Sequence, residues 1–115
     1  MVLVETENNF FNFSTANVII KNSENTSIYF SAIHTFQIDE SEAINLDQLE
    51  EHFKVFDLHG VNTYINLYNL QFVEEEHYDR ENETFPETVL TFYNGHQYRF
   101  PFGFKRFTEL FHQNS

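Results

Sequence analysis

Few residues in this chain can do chemistry, and their spacing narrows what that chemistry is. There is no cysteine, so thiolate nucleophiles, thiolate zinc sites and disulfides are excluded together. Three glycines in 115 residues leave no phosphate-cradling loop, and neither a nucleophile elbow nor a spaced metal triad is present. The one conceivable chelate is Glu76, His77 and Asp79. These near-adjacent ligands would lie on a polar segment and bind weakly and without selectivity. His34 sits among Ile28, Phe30, Ala32 and Phe36 and reads as a satisfied or edge-exposed histidine. No enzyme, metal or cofactor is expected.

What remains is the distribution of charge. The formal net charge is -12, from 18 acids and 6 lysines and arginines, which opposes phosphate backbones and anionic membranes. The acids are unevenly placed. Residues Leu58 to Val73 contain no carboxylate, lysine or arginine, and Thr88 to Thr108 contain no carboxylate but hold Arg99, Lys105 and Arg106. The acids collect before Gly60 and between Glu74 and Glu87.

The elements that must position these stretches are legible in part. Fifteen Phe, one Met and no Trp imply a core of Phe with Ile, Leu and Val, and such a composition tilts the fold toward sheet. The length suits one domain spanning 1–115. Asn17 to Lys21 and Ser27 to Ile38 read as a hairpin around the turn-rich Asn22 to Thr26. A helix is expected from about Leu46 to Val55: Asn45 and Gln48 can form a capping box, and Leu46, Leu49 and Phe53 come at helical spacing. Tyr64 to Phe72 alternates as a strand, and Glu74 to Glu87 reads as a mobile, dispensable acidic loop. Asn94-Gly95 between two apolar runs predicts a two-residue type I′ hairpin turn, and Phe104 to Phe111 a short terminal helix. The fold class expected is mainly β with one clear α-helix. No apolar run is long enough to span a membrane and the N-terminus lacks a basic leader, so a soluble cytoplasmic protein is expected.

The order of these parts, with "NLDQLEEHFKVF", "VFDLHGVNTYIN" and "LTFYNGHQYRFPF", resembles the LytTR DNA-binding domain of bacterial response regulators and stand-alone regulators over about 10–107. That resemblance implies an elongated multi-strand fold that inserts loops into successive major grooves. It sets His59 at the family's signature histidine and Asn94 at the polar residue of its late hairpin. The chain departs from the pattern where Val55 replaces a phenylalanine, Asp57 an arginine, and Gly60 with Val61 a basic position; Gly103 stands where a basic residue often occurs. Taken with the acid-free stretches, the resemblance makes His59, Asn62, Thr63, Asn94, Arg99, Lys105 and Arg106 the candidate contacts to duplex DNA. Such a transcription regulator, with so few cations, would depend on base contacts, a homodimer or a basic partner. The alternative is an acidic protein-binding module, an inhibitor or decoy of a basic nucleic-acid-binding partner, with DNA binding lost.

Overall fold

The structure is a computed structural model that describes residues 3–39, 46, 49 and 51–113. Among the described residues it is mainly β with a single α-helix. The strands are β1 (Leu3–Glu5), β2 (Phe10–Asn12), β3 (Val18–Lys21), β4 (Asn25–Tyr29), β5 (Thr35–Asp39), β6 (Phe53–Leu58), β7 (Val61–Asn66), β8 (Leu70–Arg80), β9 (Glu83–Phe92) and β10 (Gln97–Phe100), and the helix is α1 (Phe104–Phe111). They fall into two compact units, Met1–Asn69 and Leu70–Ser115.

In the first unit β1 and β2 pair, and a five-stranded antiparallel sheet runs in the order β5-β4-β3-β7-β6. Residues opposed across the ladders share a face, so Ile19, Ile28, Phe36 and Tyr64 align across β3, β4, β5 and β7. Phe11, Phe13, Ala16, Ile38, Leu46 and Phe53 complete this core, with Phe11 and Phe36 at a ring separation of 4.8 Å. Burying each such aromatic contributes about 1.5–3 kcal/mol. In the second unit β9 lies between β10 and β8. Phe100 packs on Phe107 of α1 at 6.0 Å, on the sheet face that also carries the buried Leu90 and Phe92.

The helix expected from Leu46 to Val55 does not hold, because Phe53–Val55 belongs to β6. Its capping box at Asn45 lies outside the described residues. Leu46 and Phe53 are both buried, as the helical spacing required, but Phe53 reaches the core from a strand. The run Phe-Lys-Val-Phe favours sheet, and the tight turn after it returns the chain along β7. That turn is His59-Gly60, with φ 54 and 85, and Leu58 pairs with Val61 across it. Positive φ at both positions is the type I′ hairpin geometry.

Two expected strands are each broken in the middle. Ser27 to Ile38 turns at Ser31–His34, where Ser31 Oγ accepts from the amides of Ile33 and His34. His34 is exposed there, with its Nδ1 3.3 Å from Ser31 Oγ. Tyr64 to Phe72 breaks after Asn66, whose Oδ1 accepts the Tyr68 amide at 3.0 Å and forms a local turn.

The acidic segment 74–87 is a hairpin, not a loop. β8 pairs with β9 from Leu70↔Phe92 to Arg80↔Glu83 around a two-residue turn, Glu81-Asn82, again with positive φ at both positions (53 and 68). Such a turn makes Arg80 and Glu83 a hydrogen-bonded pair, and the alternation of antiparallel pairs then puts Tyr78/Phe85 and Glu76/Glu87 in the same class. Pro86 is tolerated because its nitrogen points away from β8, and β10 ends before it with Phe100↔Thr88. The hairpin also contacts the terminal helix. Glu75 Oε1 accepts the Phe104 amide at 2.8 Å, capping α1 where Gly103 offers no side chain. A Cβ on Gly103 would lie 2.7 Å from that oxygen.

Asn94-Gly95 is a turn, but not type I′. Gly95 alone has positive φ, the Gly95 amide donates to Phe92 O, and the Phe92 amide donates to His96 O. This is a three-residue loop: a type I turn followed by a left-handed glycine. The terminal helix forms as expected, over Phe104–Phe111.

Glu81 holds a left-handed conformation that costs an ordinary L-residue about 1–2 kcal/mol, whereas Asn tolerates it. Glu81→Asn is therefore expected to raise stability by about 1 kcal/mol, read from the urea midpoint at unchanged m. An unchanged or lowered midpoint would count against the type I′ turn.

Candidate functional site

The expected DNA contacts fall on both units, three on the first and four on the second. On the β6–β7 hairpin His59 is exposed at the tip, and the Gly60 amide donates to Asp57 Oδ1 at 3.3 Å, so this carboxylate helps to close the turn that presents His59. Asp57 thus has a local role where the family pattern has an arginine. Asn62 is half-buried between its cross-strand neighbours Lys21 and Asp57. Thr63 must be withdrawn as a contact. One residue along the strand places it on the opposite face, between Ile20 and Phe56, where it is 2% exposed.

On the second unit Asn94 is exposed in the β9–β10 loop, and its Oδ1 accepts the His96 amide at 3.1 Å. Arg99 is in the wrong electrostatic setting for phosphate. Its Nη1 donates to Glu76 Oε1 at 2.9 Å and Glu87 Oε1 at 2.6 Å, two carboxylates on neighbouring strands of the same face. Its hydrogen bonds to Glu76 and then Glu87 raise the guanidinium above its ordinary range, so one cation is outnumbered by two anions. Lys105 and Arg106 are exposed in the first turn of α1, where the helix dipole disfavours cations, and Arg106 lies 3.7 Å from Glu109.

The three candidate metal ligands are each engaged separately. Glu76 holds Arg99, His77 Nε2 lies 3.3 Å from Glu75 Oε2, and Asp79 Oδ1 accepts from the Thr84 hydroxyl at 2.8 Å. Alternation sends Glu76 to one face of the hairpin and His77 with Asp79 to the other. Among the described residues no group of three His, Asp or Glu could hold a metal ion. A cleft of about 210 Å³ in the first unit, between the Thr6–Asn9 turn and Phe36–Ile38, has Glu7 as its one titratable group and brings no catalytic constellation together.

The surface that the sequence reading missed is the outer part of the β8–β9 hairpin. Phe72, Glu74, Glu76 and Tyr78 share one face; Phe72 and Tyr78 are exposed, and Tyr78 stacks on Phe85 at 5.6 Å. The signal was present in two apolar-containing runs, Leu70 to Tyr78 and Phe85 to Phe92, flanking Glu81-Asn82. The density of acids obscured it.

His96 closes the loop that displays Asn94. It is buried and stacks on Phe92 at 5.6 Å, and burial pushes its imidazolium below the ordinary 6.5. The unfolded chain takes up that proton near 6.5 and the folded chain only at lower pH. The stability that His96 confers is thus complete above 6.5 and declines as pH falls from there toward the folded value. Between about pH 7.5 and 5.5, above the main carboxylate titration, the urea midpoint of the native protein should fall. In His96→Gln that fall should be smaller; an equal slope would show that His96 is not its source.

No family model matches the chain, and it matches none of the curated proteins or solved structures with which it was compared.

Proposed function

We propose that the protein is an acidic protein-binding module whose partner is a basic protein, of the kind that itself binds nucleic acid. One observation carries the reading: Arg99, in the middle of the acid-free stretch, is held by Glu76 and Glu87. The most central of the candidate phosphate contacts is already neutralised. Thr63 is buried and Arg106 lies beside Glu109, so two more of the candidate contacts are weakened as partners for a phosphate backbone. Carboxylates with interspersed exposed aromatics suit lysines and arginines, through charge pairing and contact of cations with ring faces. Among the described residues no helix is long and apolar enough to cross a membrane.

A second reading, a LytTR-like DNA-binding regulator, is favoured by two hairpin tips that expose His59 and Asn94, and by Lys105 and Arg106 standing at a helix start against the dipole. The two readings separate in one titration series at low salt. The native protein should leave random duplex DNA unbound, should bind a lysine-rich histone, and should release duplex DNA from that histone. Duplex binding that is weakened by Lys105→Ala would transfer the assignment to the second reading. So would duplex binding created by Asp57→Arg, which restores a basic residue to the His59 hairpin.

A further inference from the structure

β8 is an edge strand. Among the described residues it has β9 on one side in its sheet and no strand on the other, and at eleven residues it is the longest strand. The pairing class fixed by the Glu81-Asn82 turn directs the amides and carbonyls of Tyr78, Glu76 and Glu74 toward β9, and those of Val73, Glu75, His77 and Asp79 outward. Four successive outward-facing positions form a backbone template for one more strand, about 20 Å long. An edge of this kind accepts extended peptides, with main-chain bonds supplying affinity and alternate side chains supplying selection.

Charge selects the occupant. β8 carries Glu74, Glu75, Glu76 and Asp79 against a single Arg80 at its end. A second copy of β8 would set carboxylates opposite carboxylates, which destabilises a sheet pair. The other sheet-edge strands of this chain do not fit either: β5 and the β1–β2 pair have no cation, β6 has Lys54 with Asp57, and β10 has Arg99, already held by two glutamates. On the face with Glu74 the neighbouring positions are the exposed Phe72 and Glu76, and the exposed Tyr78 follows beyond Glu76. A cation placed opposite Glu74 would have a carboxylate in front of it and the Phe72 ring beside it, and a cation opposite Glu76 would have the Tyr78 ring beside it.

We propose that the outer edge of β8 receives an extended segment of a basic partner protein, with lysine or arginine at alternate positions, as a fourth strand of the β10-β9-β8 sheet. The inference rests on the reading of the protein as an acidic binding module and adds the mode of binding to it.

The probe is a fluorescent ten-residue peptide alternating arginine and threonine, compared with the same composition interrupted by two prolines. A lysine-rich histone serves as the reference basic ligand. The native protein should bind the alternating peptide about tenfold more tightly than the interrupted one, since loss of a few edge hydrogen bonds is worth that factor. Binding should slow the amide exchange of Val73, Glu75, His77 and Asp79. His77→Pro removes an outward donor and leaves the β8–β9 bonds in place, and it should weaken the alternating peptide by about tenfold. If that variant does not fold, Glu74→Lys combined with Asp79→Lys, which spares the backbone, should weaken it by a similar factor. Equal affinity for the two peptides, or unchanged exchange at the four amides, overturns the edge pairing while histone binding keeps the module reading intact. Loss of histone binding by the native protein overturns both.

Discussion

The carboxamide of Asn66 is the constraint on which the chain path depends. Its Nδ2 donates to Ser14 O at 3.1 Å and to Ala16 O at 2.9 Å, its amide donates to Asn17 O, and its Oδ1 accepts from Tyr68. One buried side chain therefore ties the entry of β3 to the exit of β7, some 50 residues apart in sequence. Asn17 and Asn69 extend the network: Asn17 Nδ2 donates to Phe30 O, and Asn69 Nδ2 to Thr15 O and Asn17 Oδ1. In a buried position each unpaired carbonyl would cost about 1–3 kcal/mol, so these amides make the turns of the first unit mutually dependent. The turn that Asn66 enforces at Leu67–Asn69 also ends the five-stranded sheet. Without it the alternation of Tyr64 to Phe72 would continue as one strand, and β8 would not begin a new sheet.

The second unit uses its acids in a comparable way. Glu75 closes the start of α1, and Glu76 and Glu87 bracket Arg99. Asp79 receives the Thr84 hydroxyl next to the turn. Exposed ion pairs of this sort contribute little each, on the order of 0–1 kcal/mol. Their larger effect is on what the surface can do. Each cation held by carboxylates is lost to phosphate, and each carboxylate with a local partner is fixed in direction. In this hairpin Glu75, Glu76, Asp79 and Glu87 are thus engaged, whereas Glu74 makes no hydrogen bond or ion pair among the described residues.

How much of this was legible in the sequence depended on whether a signal was local. The mainly β class, the pairing of the 17–21 stretch with the strand after Asn22, and the terminal helix rested on composition and short-range spacing, and they hold. The helix expected through Phe53–Val55 failed because Leu46, Leu49 and Phe53 satisfy a helical period while Phe53 meets the same core from a strand; burial was read correctly and geometry was not. The acidic loop failed because charge density was taken for disorder, when Tyr78–Phe85 and the paired arms around Glu81-Asn82 decide the segment. Thr63 was misassigned because it was grouped with Asn62, although adjacent strand residues point to opposite faces and that of Thr63, between Ile20 and Phe56, is buried. The holding of Arg99 by Glu76 and Glu87 could not be read at all, since it joins residues 23 and 12 positions away through strand pairing.

Edge strands are a liability that folded proteins manage, and the edges here are managed differently. β5 and β10 are short, five and four residues, and β6 ends directly in the His59-Gly60 turn after six. β8 is long and regular over the part that faces outward; its one irregularity lies between Leu70 and Phe72. What guards it is charge of one sign, and such a guard is selective. Carboxylates repel the strands of sister molecules, which carry the same charge, while the outward amides remain available to a strand of opposite charge. A proline, a bulge or a covering loop at the same place would have closed the edge to every strand alike. Guarding by charge would therefore make resistance to self-association and acceptance of the proposed basic partner two consequences of one arrangement.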